Sequence, residues 1–215
     1  MNGLLIGLFG YGLGAFPSAY LIARRRGVDI FSEGSGNMGS TNVLRSLGMA
    51  AALLVFGLDV AKGVLVVLLV QASGLPLLLA LTALIGHCWS LAAWWATGQL
   101  RGGKGVATLL GVWLIVLPPL AMAGVLAAAT LLLLATRKVS LAALGALGLG
   151  ALGTLGGSWL SVLTFSSFWL VVYRHRENLW RLWQGSERML DKTTVQRVAV
   201  LGGCASGLLA LGALR

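Results

Sequence analysis

The chain alternates long apolar runs with short polar joints. Apolar residues dominate roughly 3–23, 49–72, 76–97, 105–118, 120–136, 140–156, 158–173 and 195–214. A helix crosses a bilayer with about 20 such residues, and no strand-like alternation suits a closed barrel. The pattern predicts an all-α integral membrane protein. Its architecture is a polytopic bundle of about seven to eight transmembrane helices, some short, with an amphipathic interfacial segment. The Pro118–Pro119 pair predicts short helices on both sides, which thin the bilayer locally or form a re-entrant hairpin. The Ala/Gly/Leu-rich run 121–157 predicts close helix packing.

Charge orients this pattern. Arg24, Arg25 and Arg26 follow the first apolar run, where a cleavable leader would carry its positive charge ahead of it. A retained first helix, N-terminus outside and arginines inside, is expected. Arg45, Arg101, Lys104, Arg137, Lys138 and the basic residues of 174–192 then fall on the same inner side. The joints at Leu75–Pro76, Pro118–Pro119 and Gly156–Gly157–Ser158 carry no charge and suit the outer side. Eight crossings satisfy the rule, with Lys62, Arg197 and Arg215 outside it.

Composition agrees. The chain is 58% hydrophobic and 10% charged with a net charge of +10, whereas soluble domains carry about a quarter charged residues. Lipid, not nucleic acid, is the partner such a basic excess implies here. The two cysteines, Cys88 and Cys204, sit in apolar stretches. They read as small apolar fillers, with no disulfide framework and no metal site.

Three polar segments interrupt the apolar pattern on the expected inner face. The first is GSGNMGSTNVLR, Gly34 to Arg45. Gly34, Gly36 and Gly39 free the backbone for positive φ and close approach, and successive N–H groups in such loops bind anions. Ser35, Asn37, Ser40, Thr41 and Asn42 add neutral donors, and Arg45 can grip a phosphate with two parallel hydrogen bonds. A plain turn capping the next helix is the alternative. The second is LRGGKGVAT, Leu100 to Thr108. Gly102, Gly103 and Lys104 ahead of a helix start make a phosphate cradle, or simply a basic inner loop. It is not a Walker loop, because Gly105 stands where Ser or Thr is needed. The third is RHRENLWRLWQGSE, Arg174 to Glu187. Helical spacing puts His175 and Asn178 on one face, while Trp180 and Trp183 suit headgroup depth. Asp59 and Lys62, three apart inside a span, predict a structural ion pair. His87 reads as a buried packing histidine and Ser140 as a helix cap.

Placed in order, these segments resemble the acyl-phosphate-dependent glycerol-3-phosphate acyltransferases of the PlsY family. The likeness runs from about residue 5 to 188 and includes DVAKG at Asp59–Gly63, GHCW at Gly86–Trp89 and KVSLA at Lys138–Ala142. Met38 and Ser90 stand where the family usually has proline. The stretch between His87 and Lys104 is several residues longer than usual, and residues 195–214 add an apolar helix. The domains expected are therefore an acyltransferase membrane domain over 1–194 and an extra transmembrane helix over 195–215.

The resemblance implies acyl transfer from acyl phosphate to the 1-hydroxyl of sn-glycerol 3-phosphate, with lysophosphatidic acid and inorganic phosphate as products. It implies catalytic roles for Lys104, Arg45, His175, Ser35 and Asn178. Gly34, Gly36, Asn37, Gly39, Thr41, Asn42, Gly102, Gly103, Ser140 and Glu187 are implied to bind substrate or phosphate. No cofactor, metal or nucleic acid is implied, and the oligomeric state stays open. The implied location is the bacterial cytoplasmic (inner) membrane, with the active site on the cytoplasmic face. A transporter of a small phosphorylated anion is the alternative from another class. Against it stand the missing repeat symmetry and the polar groups gathered at one face.

Overall fold

The computed structural model describes residues 3–70, 76–156 and 158–213, and every regular element among them is a helix. Two predicted joints fall partly outside the described residues, at Leu75 and at Gly157. The chain divides into two compact units, Met1–Ile115 and Val116–Arg215.

The first unit holds α1 (Gly3–Ala15), α2 (Ser18–Arg24), α3 (Ser40–Leu47), α4 (Met49–Val70), α5 (Pro76–Cys88), α6 (Leu91–Thr97) and α7 (Val106–Val116). Two spans expected to be continuous are broken. The first run splits at Phe16–Pro17, since proline has no N–H to donate and disfavours helical geometry at the residue before it. The third splits at Trp89–Ser90, where the Ser90 hydroxyl accepts from Ala93 N and starts α6 afresh. Breaks inside a span expose backbone groups that lipid cannot satisfy, and distant side chains close both. Lys62 Nζ donates to the Phe16 carbonyl at 2.6 Å. Tyr11 Oη donates to the Trp89 carbonyl at 2.6 Å and accepts from Leu91 N at 3.2 Å.

Glycines let the backbones here touch. A Cβ on Gly14 would fall 1.9 Å from the Ala83 carbonyl oxygen, joining α1 to α5. One on Gly63 would fall 2.1 Å from the Thr108 carbonyl oxygen, joining α4 to α7. The close packing expected of the 121–157 run is looser than that. A Cβ on Gly145 would meet only the Leu132 side chain, and Gly124 faces open space.

The second unit holds α8 (Pro119–Thr136), α9 (Val139–Leu152), α10 (Trp159–Arg174), α11 (Arg176–Trp183) and α12 (Lys192–Ala213). α8 packs on α9 and α12, α9 on α10, and α11 on both α9 and α10. Asp191 caps α12 by accepting from Thr194 N at 2.9 Å. That bond, with the Thr194 hydroxyl, holds the exposed Asp191 carboxyl below its ordinary range. Ser206 Oγ donates to the Ala123 carbonyl on α8 at 2.9 Å. Val200, Leu201, Leu208 and Leu211 are exposed along the same helix, as lipid contact requires.

Among the described residues five helical passages are long and apolar enough to cross a membrane: Gly3–Arg24, Met49–Leu69, Leu78–Thr97, Pro119–Thr136 and Lys192–Ala213. Val106–Val116 and Val139–Leu152 are apolar but shorter. At about 1.5 Å per residue neither reaches across about 30 Å of hydrocarbon. Of the two short helices expected beside Pro118–Pro119, only α7 is short. α8 is 18 residues long, with Pro119 at its first turn, where proline costs nothing.

Candidate active site

In the first unit the loop joining α2 to α3 is organised by Asn42. This residue is 1% exposed. Its Oδ1 accepts from Ser35 N at 2.8 Å, and Nδ2 donates to the carbonyls of Ile30, Glu33 and Asn37 at 3.0–3.2 Å. One buried amide therefore sets the loop's course. Asn37 repeats the device locally, accepting from Gly39 N at 2.8 Å and donating to Ser35 Oγ at 2.7 Å. Met38 is 4% exposed in an apolar cluster with Ala19, Ala23, Ile30 and Val43. It plugs the loop onto the helices below.

Gly34 and Gly36 take positive φ of 54° and 64°, as expected. Gly39 does not. At φ −80° it precedes α3 in extended form, and its missing side chain makes room for Asn37 Oδ1. Ser35 and Thr41 are half-buried on this surface, and Arg45 is exposed on α3.

The Gly102–Lys104 segment runs beside the α5–α6 break. Ser90 N donates to the Arg101 carbonyl at 3.2 Å, and Gly103 N donates to the His87 carbonyl at 3.0 Å. Lys104 is half-buried. Gly105 follows at φ 87°, and its carbonyl accepts from Leu109 N at 2.8 Å in the first turn of α7. Lys104 thus stands at the entrance to a helix N-terminus, where orphan N–H groups and the helix dipole favour anions.

In the second unit a carboxylate gathers the donors. Glu187, 7% exposed, accepts at Oε1 from Ser140 Oγ at 2.8 Å and from Asn178 Nδ2 at 2.7 Å. It accepts at Oε2 from Arg181 Nε at 2.8 Å. Ser140 therefore does not cap α9. Lys138 holds the cap position, and the Ser140 hydroxyl is bound to Glu187. His175 does not share a helix with Asn178 either. It occupies the junction between α10 and α11, at φ −97° and ψ 7°. His175 Nδ1 lies 2.8 Å from the Val171 carbonyl oxygen, which can only accept. Nδ1 therefore carries a proton, and Nε2 is the nitrogen whose protonation can change.

Burial pushes the Glu187 carboxyl upward, but hydrogen bonds from Asn178, Ser140 and Arg181, with the Arg181 charge, outweigh it. The carboxyl stays below its ordinary range. A depressed folded value stabilises the protein above the unfolded value of about 4.3 and loses that contribution as the pH falls through the folded value. Thermal stability in detergent should therefore fall below about pH 4. Glu187→Gln should lower stability at neutral pH and flatten that slope. An unchanged slope would show that the carboxylate is not the group responsible.

Sequence reading missed Tyr11 and Ser18, single residues in apolar helices whose partners lie far along the chain, and noted Ser90 only as standing in place of a proline. It passed over Arg181 as one basic residue among several. Among the described residues no three His, Cys, Asp or Glu side chains cluster as a metal site requires.

These features define a class: a polytopic helical membrane protein whose polar clusters are rich in glycine backbone, amides, hydroxyls and cations, and so are suited to anions. The family model described as glycerol-3-phosphate acyltransferase matches residues 4–185, which contain the first two polar segments and the third up to Gly185. A glycerol-3-phosphate acyltransferase of Desulforudis audaxviator is 46% identical over 191 residues, covering 86% of this chain and 93% of the relative. Glycerol-3-phosphate acyltransferase 1 of Deinococcus radiodurans is 44% identical over 200 residues, covering 89% of this chain and 98% of the relative. The crystal structure of PlsY (YgiH), an integral membrane glycerol 3-phosphate acyltransferase in its glycerol 3-phosphate form, superposes with a TM-score of 0.80. It is 34% identical, covering 90% of this chain and 98% of that one. Its lysophosphatidic acid form gives 0.78. The chain belongs to the glycerol-3-phosphate acyltransferase family. It is an integral membrane acyltransferase, and α12 lies beyond the residues the family model matches.

Proposed function

We propose that the enzyme takes its acyl group from an acyl phosphate and gives it to the 1-hydroxyl of sn-glycerol 3-phosphate. The hydroxyl oxygen attacks the acyl carbon, the bond from that carbon to the phosphate oxygen breaks, and the phosphate leaves with the hydroxyl's proton. The products are lysophosphatidic acid and inorganic phosphate. The observation carrying this reading is the family match over 4–185, which takes in Arg45, Lys104, His175 and Asn178 together. The related PlsY crystallised in glycerol 3-phosphate and lysophosphatidic acid forms supports acceptor and product. The anion-transporter alternative gives way to family membership.

An acyl phosphate is already activated, so positioning and charge stabilisation suffice and no covalent acyl-enzyme is needed. We assign Lys104 and Arg45 to phosphate charge, with Ser35, Thr41, Gly34, Gly36 and the Gly102–Gly103 backbone as neutral donors or close-approach surface. Asn37, Gly39 and Asn42 shape the loop that presents them. His175 contacts phosphate, and the substrate's own phosphate takes the proton. Glu187 acts through its partners, because a carboxylate repels a phosphate. It holds Asn178 and Ser140 in place. The reaction runs on the cytoplasmic face of the bacterial inner membrane, a reading the distribution of basic residues supports.

Purified enzyme in detergent, given palmitoyl phosphate and labelled glycerol 3-phosphate, should release one phosphate per labelled lipid formed. Labelled lipid from palmitoyl-CoA but none from palmitoyl phosphate would overturn the donor assignment.

A further inference from the structure

The three glycines around Lys104 are glycines for three different reasons. Gly105 has φ 87°, a conformation other residues rarely adopt. A Cβ at Gly102 would fall 2.3 Å from the His87 carbonyl oxygen and 2.5 Å from the Cys88 carbonyl carbon, both backbone. Gly103 has neither constraint. Its φ is not positive, and what its Cβ would strike is one side chain. His87 Nε2 lies 2.1 Å away, Cε1 2.8 Å and Cδ2 3.0 Å.

That imidazole is not loose. His87 is 5% exposed, and its Nδ1 lies 3.8 Å from Asp59 Oδ1. The same oxygen accepts from Lys62 Nζ at 2.7 Å and from Ser18 Oγ at 2.6 Å, and Lys62 is tied to the Phe16 carbonyl. A chain of contacts therefore runs from the α1–α2 break through Asp59 to the ring packed against Gly103.

We propose that Asp59 and His87 are positioning residues for the phosphate loop: the carboxylate sets the imidazole, the imidazole sets Gly102–Lys104, and Gly103 is glycine to admit that ring. The inference deepens the proposed function and rests on it for the assay.

The test is a double-mutant cycle on KM for glycerol 3-phosphate, since a misfolded fraction lowers kcat but leaves KM unmoved. Gly103→Ala should raise KM at least about tenfold, because the methyl pushes the loop off the ring. His87→Asn keeps a donor toward Asp59 but lacks the outer ring edge, and should raise KM a few-fold. Combined, the two should do no more than His87→Asn alone. Asp59→Asn should raise KM in the wild-type background and add nothing once His87 is replaced. Losses that multiply in either pair would overturn the proposal, because Gly103 or Asp59 would then act without His87. His87→Ala serves as the second variant if the asparagine chain folds poorly. Wild-type enzyme inactive with palmitoyl phosphate would refute the donor reading separately. The same cycle would then be read on donor-free binding of labelled glycerol 3-phosphate.

Discussion

Replacing Lys104 with alanine should cut kcat/KM about 10²–10³-fold, the scale for losing one well-placed charge-stabilising donor. The expectation follows from how firmly the residue is presented. Gly103 on one side is bonded to the His87 carbonyl. Gly105 on the other is committed to positive φ and begins α7. The backbone of Lys104 is thus held at the start of a helix whose N-terminus already favours anions. With the proposed acyl phosphate as donor, negative charge grows on the leaving phosphate and on the acyl oxygen as the tetrahedral state forms, so a nearby cation gains most at that point. Lys104→Arg should retain part of the rate, since it keeps the charge but not the compact head. Initial rates with both substrates varied check this. An alanine enzyme keeping a tenth of wild-type kcat/KM would remove Lys104 from the chemistry.

Asp59→Ala should destabilise the first unit by about 3–5 kcal/mol, the usual cost of stranding one member of a buried pair. Lys62 is 6% exposed within the Met49–Leu69 passage, and the carboxylate 2.7 Å away is its counter-charge. The Phe16 carbonyl and Ser18 hydroxyl remain as acceptors, but neither carries a charge. Asp59→Leu combined with Lys62→Met should recover part of the loss, because no ion is then left in hydrocarbon. The recovery stays partial, because the Phe16 carbonyl loses its donor at the helix break. Thermal unfolding in detergent should rank wild type above the double variant and the double variant above Asp59→Ala. Equal midpoints for wild type and Asp59→Ala would show that the pair contributes little.

The elements that composition contrast exposes were legible beforehand. The apolar runs became helices, and the Asp59–Lys62 spacing became an ion pair, because helical periodicity is local and i, i+3 neighbours meet wherever the helix goes. The glycine-rich segments were legible because nothing apolar masks them. Individual roles inside them were not. Asn42 read as a ligand, yet its amide is engaged by three carbonyls and the Ser35 N–H. Ser140 read as a cap because it follows Arg137 and Lys138 at a helix start, but its partner Glu187 lies 47 residues on. A hydroxyl's preference among acceptors is weak locally, so the fold chooses.

What sequence alone determined is the solvent of this protein and the kind of ligand it meets. A tenth of its residues are charged, so its exterior must face lipid. The polar segments are rich in cations, amides, hydroxyls and glycines, a set suited to anionic ligands. Tertiary structure decided where the helices break and what the breaks are for. Pro17 is local, but the split at Ser90 depends on Tyr11, 78 residues from Trp89. The reason is the bilayer's lack of water. A backbone group opened within it stays open only where a side chain from elsewhere arrives to bond it, and no short window of sequence records such an arrival.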